Sequence, residues 1–327
     1  MLEFATSVIN IWEKQALSKN DQERMLKAPD EKSALAVLFD TDLAPFLQIE
    51  TDLEKISQAD LNALKTKLNV VLTEEPLLGK LLFLKFDVLH LKQILKEQFL
   101  PKNLETPKDQ IIFKTANLSF SALEDLVVCL LKKKNTDYFQ EPLVFEMISR
   151  ALELLSLEGN KSSSSIEAAV DKVFLESKLK YADKYPLLAR YVRVEIDIAN
   201  LKAVLKERNK IEFIYGGNFD HEDMLKIANL KEGEVKPSLQ RFLEAYGISL
   251  ILEDFEKDHS ETLLEVGLNR FLSNMAKEEE RETGFGVAKV LSFFERKLNA
   301  LNNIKLILFS KRVGLPVSEI EPLLLPI

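Results

Sequence analysis

The sequence predicts an all-α protein made of three similar helical modules, and three observations carry that expectation. Turn formers are scarce: 10 glycines and 11 prolines in 327 residues leave little material for hairpins, whereas abundant Leu, Lys, Glu and Ala favour long helices joined by short loops. Helix-start signals recur along the chain, and no period-2 segment is long enough to read as a sheet. Finally, one segment returns twice at long and nearly equal intervals, as an architecture of repeated units requires.

In chain order, Ser18-x-x-Asp21, Ser57-x-x-Asp60, Ser121-x-x-Glu124, Ser164-x-x-Glu167 and Ser318-x-x-Glu321 have the form of a capping box or its Asp variant. In such a box the hydroxyl accepts from free backbone N–H groups and the acid favours the positive helix end. Pro29, Pro76, Pro142 and Pro186 stand where helices are expected to begin, since proline lacks the N–H that a first turn leaves unused. Pro101–Pro107 reads as a linker, Gly159–Ser165 as a flexible loop, and Tyr215-Gly216-Gly217-Asn218 as the opening of a third block. The acidic run Glu278–Glu282, ahead of Gly284-Phe285-Gly286, reads as an exposed loop or frayed helix end. The modules are therefore expected at 1–100, 101–210 and 211–327.

The repeat is the informative feature. Phe86-Asp87-Val88-Leu89-His90-Leu91-Lys92-Gln93-Ile94-Leu95-Lys96 returns 110 residues later as Ile196-Asp197-Ile198-Ala199-Asn200-Leu201-Lys202-Ala203-Val204-Leu205-Lys206. A weaker copy, Ala300-Leu301-Asn302-Asn303-Ile304-Lys305-Leu306-Ile307-Leu308, follows after a further 103 residues. On a helix, Leu84, Val88, Leu91 and Leu95 form one inner stripe, as do Val194, Ile198, Leu201 and Leu205. Lys297 holds the first stripe position in the third copy, whose stripe is therefore expected to start later, at Leu301, Ile304 and Leu308. Asp87/His90 and Asp197/Asn200 are neighbours on the shoulder of the stripe, able to hydrogen-bond there. Such a pair beside a core is expected to tether adjacent helices rather than to hold a ligand. The motif residues are thus Asp87, His90, Leu91 and Lys92; Asp197, Asn200, Leu201 and Lys202; and Asn303, Ile304 and Lys305.

Composition and motifs exclude several classes of function. A net charge of −8 argues against a nucleic-acid groove or an anionic-lipid surface, and Lys132-Lys133-Lys134 reads as a solvated helix end. The lone Cys129 cannot pair internally and is expected as a small core residue of a reducing compartment. No apolar run approaches a membrane span, and the start Met1-Leu2-Glu3 lacks the basic opening of a signal peptide. No phosphate-cradling G-x-x-x-x-G-K-[ST] loop and no nucleophile–base motif is present, so neither nucleotide binding nor catalysis is expected. His90, His221 and His259 are far apart, and the block Asp254–Glu261 reads as a solvated helix end rather than a metal cluster. No cofactor is expected.

At the repeats the chain resembles the C subunit, also called the d subunit, of archaeal and vacuolar-type (A-type and V-type) rotary ATPases. Arg190-Tyr191-Val192-Arg193-Val194-Glu195-Ile196-Asp197-Ile198-Ala199-Asn200-Leu201-Lys202 is similar to that family's most characteristic segment. Asn303-Ile304-Lys305-Leu306-Ile307-Leu308 with Gly314-Leu315-Pro316 resembles its closing helix and tail, and Trp12-Glu13, Met25-Leu26-Lys27-Ala28 and Asp40-Thr41-Asp42 its opening. Departures are His90 where the family has Asn, Ala300 where it has an acid, and Leu43 where an aromatic is common. The resemblance implies a pseudo-threefold funnel, a non-catalytic rotor part seated on the cytoplasmic face of the membrane proteolipid ring. It would receive the foot of the central-stalk subunits and pass torque for H⁺ or Na⁺ transport. Two other readings remain open: an unrelated α-helical repeat scaffold for protein–protein interaction, and an all-α enzyme with a carboxylate or metal site between helices.

Overall fold

The computed structural model describes residues 2–100, 114–133, 139, 141–157, 161–206, 213–228, 244, 246 and 261–327. Among these, all regular structure is helical. The expected Pro101–Pro107 linker and the stretch 254–260, with His259, lie outside the described residues. The helices are α1 (Leu2–Glu13), α2 (Lys19–Lys27), α3 (Glu31–Val37), α4 (Ala44–Leu47), α5 (Leu53–Val71), α6 (Pro76–Phe99), α7 (Phe120–Leu131), α8 (Pro142–Leu157), α9 (Ser163–Ala182), α10 (Pro186–Lys206), α11 (His221–Ala228), α12 (Glu261–Thr283), α13 (Val287–Val313) and α14 (Val317–Ile320). Packing groups the chain into two compact units, 75–224 and 1–74 with 225–327.

In the unit 75–224, α9 lies against α6, α8 and α10, while α7 packs on α6 and α8. Pro76, Pro142 and Pro186 each occupy the first position of a helix, where the missing N–H costs nothing. α6 buries most of its circumference, as a helix covered from several sides must. Its stripe Leu84, Val88, Leu91 and Leu95 is inside, as are Val194, Ile198 and Leu201 of α10. Each such side chain contributes roughly 1.5–3 kcal/mol by leaving water. Lys92 Nζ reaches Asp171 Oδ1 at 2.6 Å and Lys96 pairs with Glu167, which ties the flank of α6 to α9.

In the other unit, α13 is the central element, packed against α1, α2, α3 and α12. Gly314 ends it in the left-handed conformation at φ 76°, and Leu315 N–H then donates to Ser310 O at 2.9 Å. Leu301, Ile304, Ile307 and Leu308 are buried. The stripe does not start later in this copy: Phe293 and Phe294 are buried ahead of it, and Lys297 itself is buried at 6% exposure because two carboxylates accompany it.

Several helix starts lie elsewhere than the local signatures suggest. Only the box at Ser18 and Asp21 forms as expected. Ser57 and Asp60 are interior residues of α5, which Asp52 caps; Ser57 donates back to Leu53 O and Asp60 is turned into the core. The caps of α7 and α9 are Ser119 and Ser162, two residues ahead of Ser121 and Ser164, and α14 starts after Pro316 with Ser318 inside it. Asp30 caps α3, so Pro29 precedes the helix rather than opening it. Helix α12 runs through Glu278–Glu282 to Thr283, where Gly284 turns the chain at φ 70°. The run is a helix end that keeps its structure because Glu280 is engaged from α13. Cys129 is only half-buried on α7.

Candidate functional site

The polar residues of the repeat act on the segment that leads into the next helix. Asp87, fully buried on α6, accepts from Asn117 N at 3.0 Å, Asn117 Nδ2 at 2.8 Å and Leu118 N at 2.9 Å. Asp197 on α10 accepts from Asn218 N at 2.9 Å, Asn218 Nδ2 at 3.1 Å and Phe219 N at 3.2 Å. The two constellations match atom for atom: one oxygen takes both donors of an Asn, the other takes the next N–H. In each case the following residue begins a helix. Ser119 Oγ accepts from Ala122 N, and Asp220 Oδ1 accepts from Glu222 N. A buried carboxylate with this many donors is fully occupied holding the connector.

Three residues on, Asn200 clamps a peptide unit from both sides, donating to Ile214 O at 2.9 Å and accepting from Ile214 N at 2.8 Å. Asn303 on α13 does the same to Leu325, donating at 2.8 Å and accepting at 2.9 Å. His90 takes this place on α6, buried and edge-on to Phe120 with ring centroids 5.4 Å apart. Asp87, Asp197 and Asn200 thus each bond to their own part of a connector. Leu91, Leu201 and Ile304 are core, Lys202 is half-buried, and Lys305 pairs with Glu54 at 2.6 Å. The connector's own sequence is fitted to the anchor. A Cβ on Gly217 would stand 2.0 Å from Asp197 Oδ1, so only glycine fits there.

In the third copy the polar plan changes. Ala300 stands where Asp87 and Asp197 stand, and one turn earlier Lys297 Nζ lies 2.6 Å from Asp42 Oδ2 and 3.0 Å from Asp60 Oδ2. Burial, opposed by the Lys297 ammonium and reinforced by the Asp42 charge, brings the Asp60 carboxyl up to about 6. Burial would lower Lys297, but the charges of Asp60 and Asp42 outweigh it and hold the ammonium above its ordinary value. Beside this triad, Lys289 bridges Glu13 Oε2 at 2.7 Å and Glu280 Oε1 at 2.6 Å. Arg296 pairs with Glu13 as well and lies 3.2 Å from Glu280 Oε2. Burial alone would raise Glu280; the bond from Lys289 and the charges of Arg296 and Lys289 bring it below the usual carboxylate range. Among the described residues no group of three or more His, Cys, Asp or Glu side chains could hold a metal ion, and no helix is long and apolar enough to cross a membrane.

A helical chain whose repeats spend their polar residues on holding connecting segments is matched by a family model described as ATP synthase (C/AC39) subunit, over residues 5–323. The chain belongs to this family. It is similar to the C subunit of the A-type ATP synthase of Methanosphaera stadtmanae, at 28% identity over 182 residues, covering 51% of this chain and 47% of the relative. That of Methanobrevibacter smithii is 25% identical over 184 residues, 49% of this chain and 46% of the relative. That of Methanocaldococcus jannaschii is 22% identical over 262 residues, 74% of this chain and 63% of the relative. The chain spans about half the length of the first two relatives.

For this C/AC39-family chain, sequence reasoning found the anchoring helices but missed their partners. Asn117-Leu118-Ser119 and Asn218-Phe219-Asp220 are a second, weaker repeat. It stands 30 residues after Asp87 but only 21 after Asp197, so a fixed period does not reveal it. Asp42, Asp60 and Lys297 carry no joint signal in the sequence, since only the fold brings them together.

Proposed function

We propose that this C/AC39-family chain is the non-catalytic rotor adaptor of an A-type or V-type ATPase, joining the central stalk to the membrane proteolipid ring. The observation that carries the reading is the paired anchor. Two successive repeats bind their connectors through the same five-atom arrangement, and a part that transmits torque needs its joints fixed by buried, fully satisfied groups rather than by mobile surface pairs. The named relatives, each the C subunit of an A-type ATP synthase, support the same placement.

On this reading the chain is organised as three modules, 1–100, 101–210 and 211–327, arranged as a pseudo-threefold funnel on the cytoplasmic face of the membrane. It attaches peripherally and binds neither nucleotide nor nucleic acid. The stalk meets helix ends and loops of all three modules, where polar rims set partner choice and register. The experiment is removal of the protein from its complex in native membranes. The catalytic head should continue to hydrolyse ATP while H⁺ or Na⁺ pumping fails. Normal pumping per ATP in its absence would overturn the assignment.

A further inference from the structure

Lys297 serves two carboxylates with one charge. It reaches Asp42, in the turn ahead of α4, and Asp60, in the middle of α5, and all three side chains are largely shut off from water. With every group ionised, the triad carries one negative charge that nothing within it balances, and a buried uncompensated charge is costly. Its oxygens are short of donors as well. Among the described residues, Asp42 Oδ1 is buried without a hydrogen-bond partner, and Asp60 Oδ2 has the ammonium 3.0 Å away at an angle that forms no hydrogen bond.

The neighbouring charged groups have partners of their own. Glu13 of α1 and Glu280 of α12 are engaged by Lys289 and Arg296 of α13. Asp21 of α2 pairs with Arg24, and Glu31 of α3 with Arg312. α4 carries no titratable side chain, and Lys67 of α5 lies over the Trp12 ring, 5.7 Å from its centroid. The three histidines, His90, His221 and His259, belong to none of these helices. α5 itself packs chiefly on α1 and α4. Toward α13 it is held by the pair Asp60–Lys297 and, nearer its start, by the exposed pair Glu54–Lys305 at 2.6 Å.

We propose that the Asp42–Asp60–Lys297 triad is a proton-controlled joint: one proton taken up by the two carboxylates neutralises it and clamps α5 and the turn at Asp42 to α13, and loss of that proton loosens α5. The proton comes from solvent and forms one O–H bond on the carboxyl pair. Lys297 keeps its own proton: burial opposes the ammonium, but the charges of Asp60 and Asp42 outweigh burial and hold it above its ordinary value. Burial raises the Asp60 carboxyl from 3.8 to about 6, with the Lys297 charge opposing and the Asp42 charge assisting. The folded form therefore binds the proton more tightly than an opened one, so the clamp is tight in acid and weakens as the pH rises through about 6.

The test is amide hydrogen exchange of the whole protein, corrected for the intrinsic pH dependence of exchange, at Leu61 and Leu64 of α5 and at Ile304 of α13. The opening constant at the two α5 amides should rise about tenfold between pH 5 and pH 7 and should exceed that at Ile304, because α5 opens while α13 stays folded. Asp60→Asn and Asp42→Asn should each remove the rise, since either leaves one carboxylate for one ammonium. Glu54→Gln, which breaks only the exposed pair, should keep it. Wild-type opening at Leu61 and Leu64 that does not change with pH, or that equals opening at Ile304 throughout, overturns the proposal without any variant. So does a rise that survives Asp60→Asn or Asp42→Asn, or one that vanishes in Glu54→Gln.

Discussion

Helices α10 and α13 carry the same apolar register and opposite polar solutions. On α10, Val194 opens the stripe and Asp197 anchors the connector; on α13, a buried lysine opens it and an alanine stands at the anchor position. Packing has been kept in both, because shifting the stripe would turn every buried side chain at once. The polar contacts have been exchanged, because any arrangement that satisfies its buried groups serves. A repeat is thus defined by its apolar face, and its polar residues show how each copy is attached to its surroundings.

The largest effect should follow from breaking the arrangement peculiar to α13. Lys297→Met leaves Asp42 and Asp60 facing each other without a counter-charge and should cost about 3–5 kcal/mol in urea melts. Adding Asp60→Leu should recover most of that loss, since an apolar replacement of a buried pair is often neutral. If the double variant is no better than the single one, the lysine acts through packing and not through its charge.

The shared register predicts the next effect. Leu201→Ala on α10 should cost about 2–5 kcal/mol and Ile198→Val about 0.5–1.5 kcal/mol. A wild-type urea midpoint for Leu201→Ala would remove the stripe from the account.

Titration distinguishes the copies as well. With its folded-state pKa near 6, above the unfolded value of 3.8, Asp60 binds its proton more tightly in the native protein. Its contribution to stability is fully present below pH 3.8 and is lost as the pH rises through about 6. The loss is on the order of 3 kcal/mol by linkage. Asp60→Asn should flatten the fall in stability across that window. An unchanged pH profile would mean that Asp60 does not titrate there.

What the sequence made legible follows the range over which each signal acts. Stripes were readable because a helical period is written within a dozen residues, and Pro76, Pro142 and Pro186 because proline restricts its own position. Capping boxes were overread: Ser57 and Asp60 have the right spacing, but Asp52 starts the helix earlier and leaves both inside it. The role of Asp197 as a tether was foreseeable from its place beside the core, but not that its partner is a turn. That partner, Asn218, comes from across a connector whose length differs between repeats. The Asp42–Asp60–Lys297 triad joins residues 255 positions apart or less and leaves no periodic trace.

The smallest effect belongs to the exposed end of the motif. Lys305 pairs with Glu54 in partly exposed surroundings, so Lys305→Ala should cost well under about 1 kcal/mol, and less at high salt. A loss as large as that from Lys297→Met would place Lys305 in the same buried class and erase the contrast.

Amide hydrogen exchange at Leu118, Phe219 and Leu17 tests the central contrast between anchored and unanchored repeats most directly. The first two N–H groups are held by Asp87 and Asp197 and should exchange only through opening of the surrounding helices, whereas the Leu17 N–H, which precedes the cap Ser18 as they precede theirs and has no acceptor among the described residues, should exchange faster than either. Equal protection at all three amides, or rapid exchange at Leu118 and Phe219, would contradict the account.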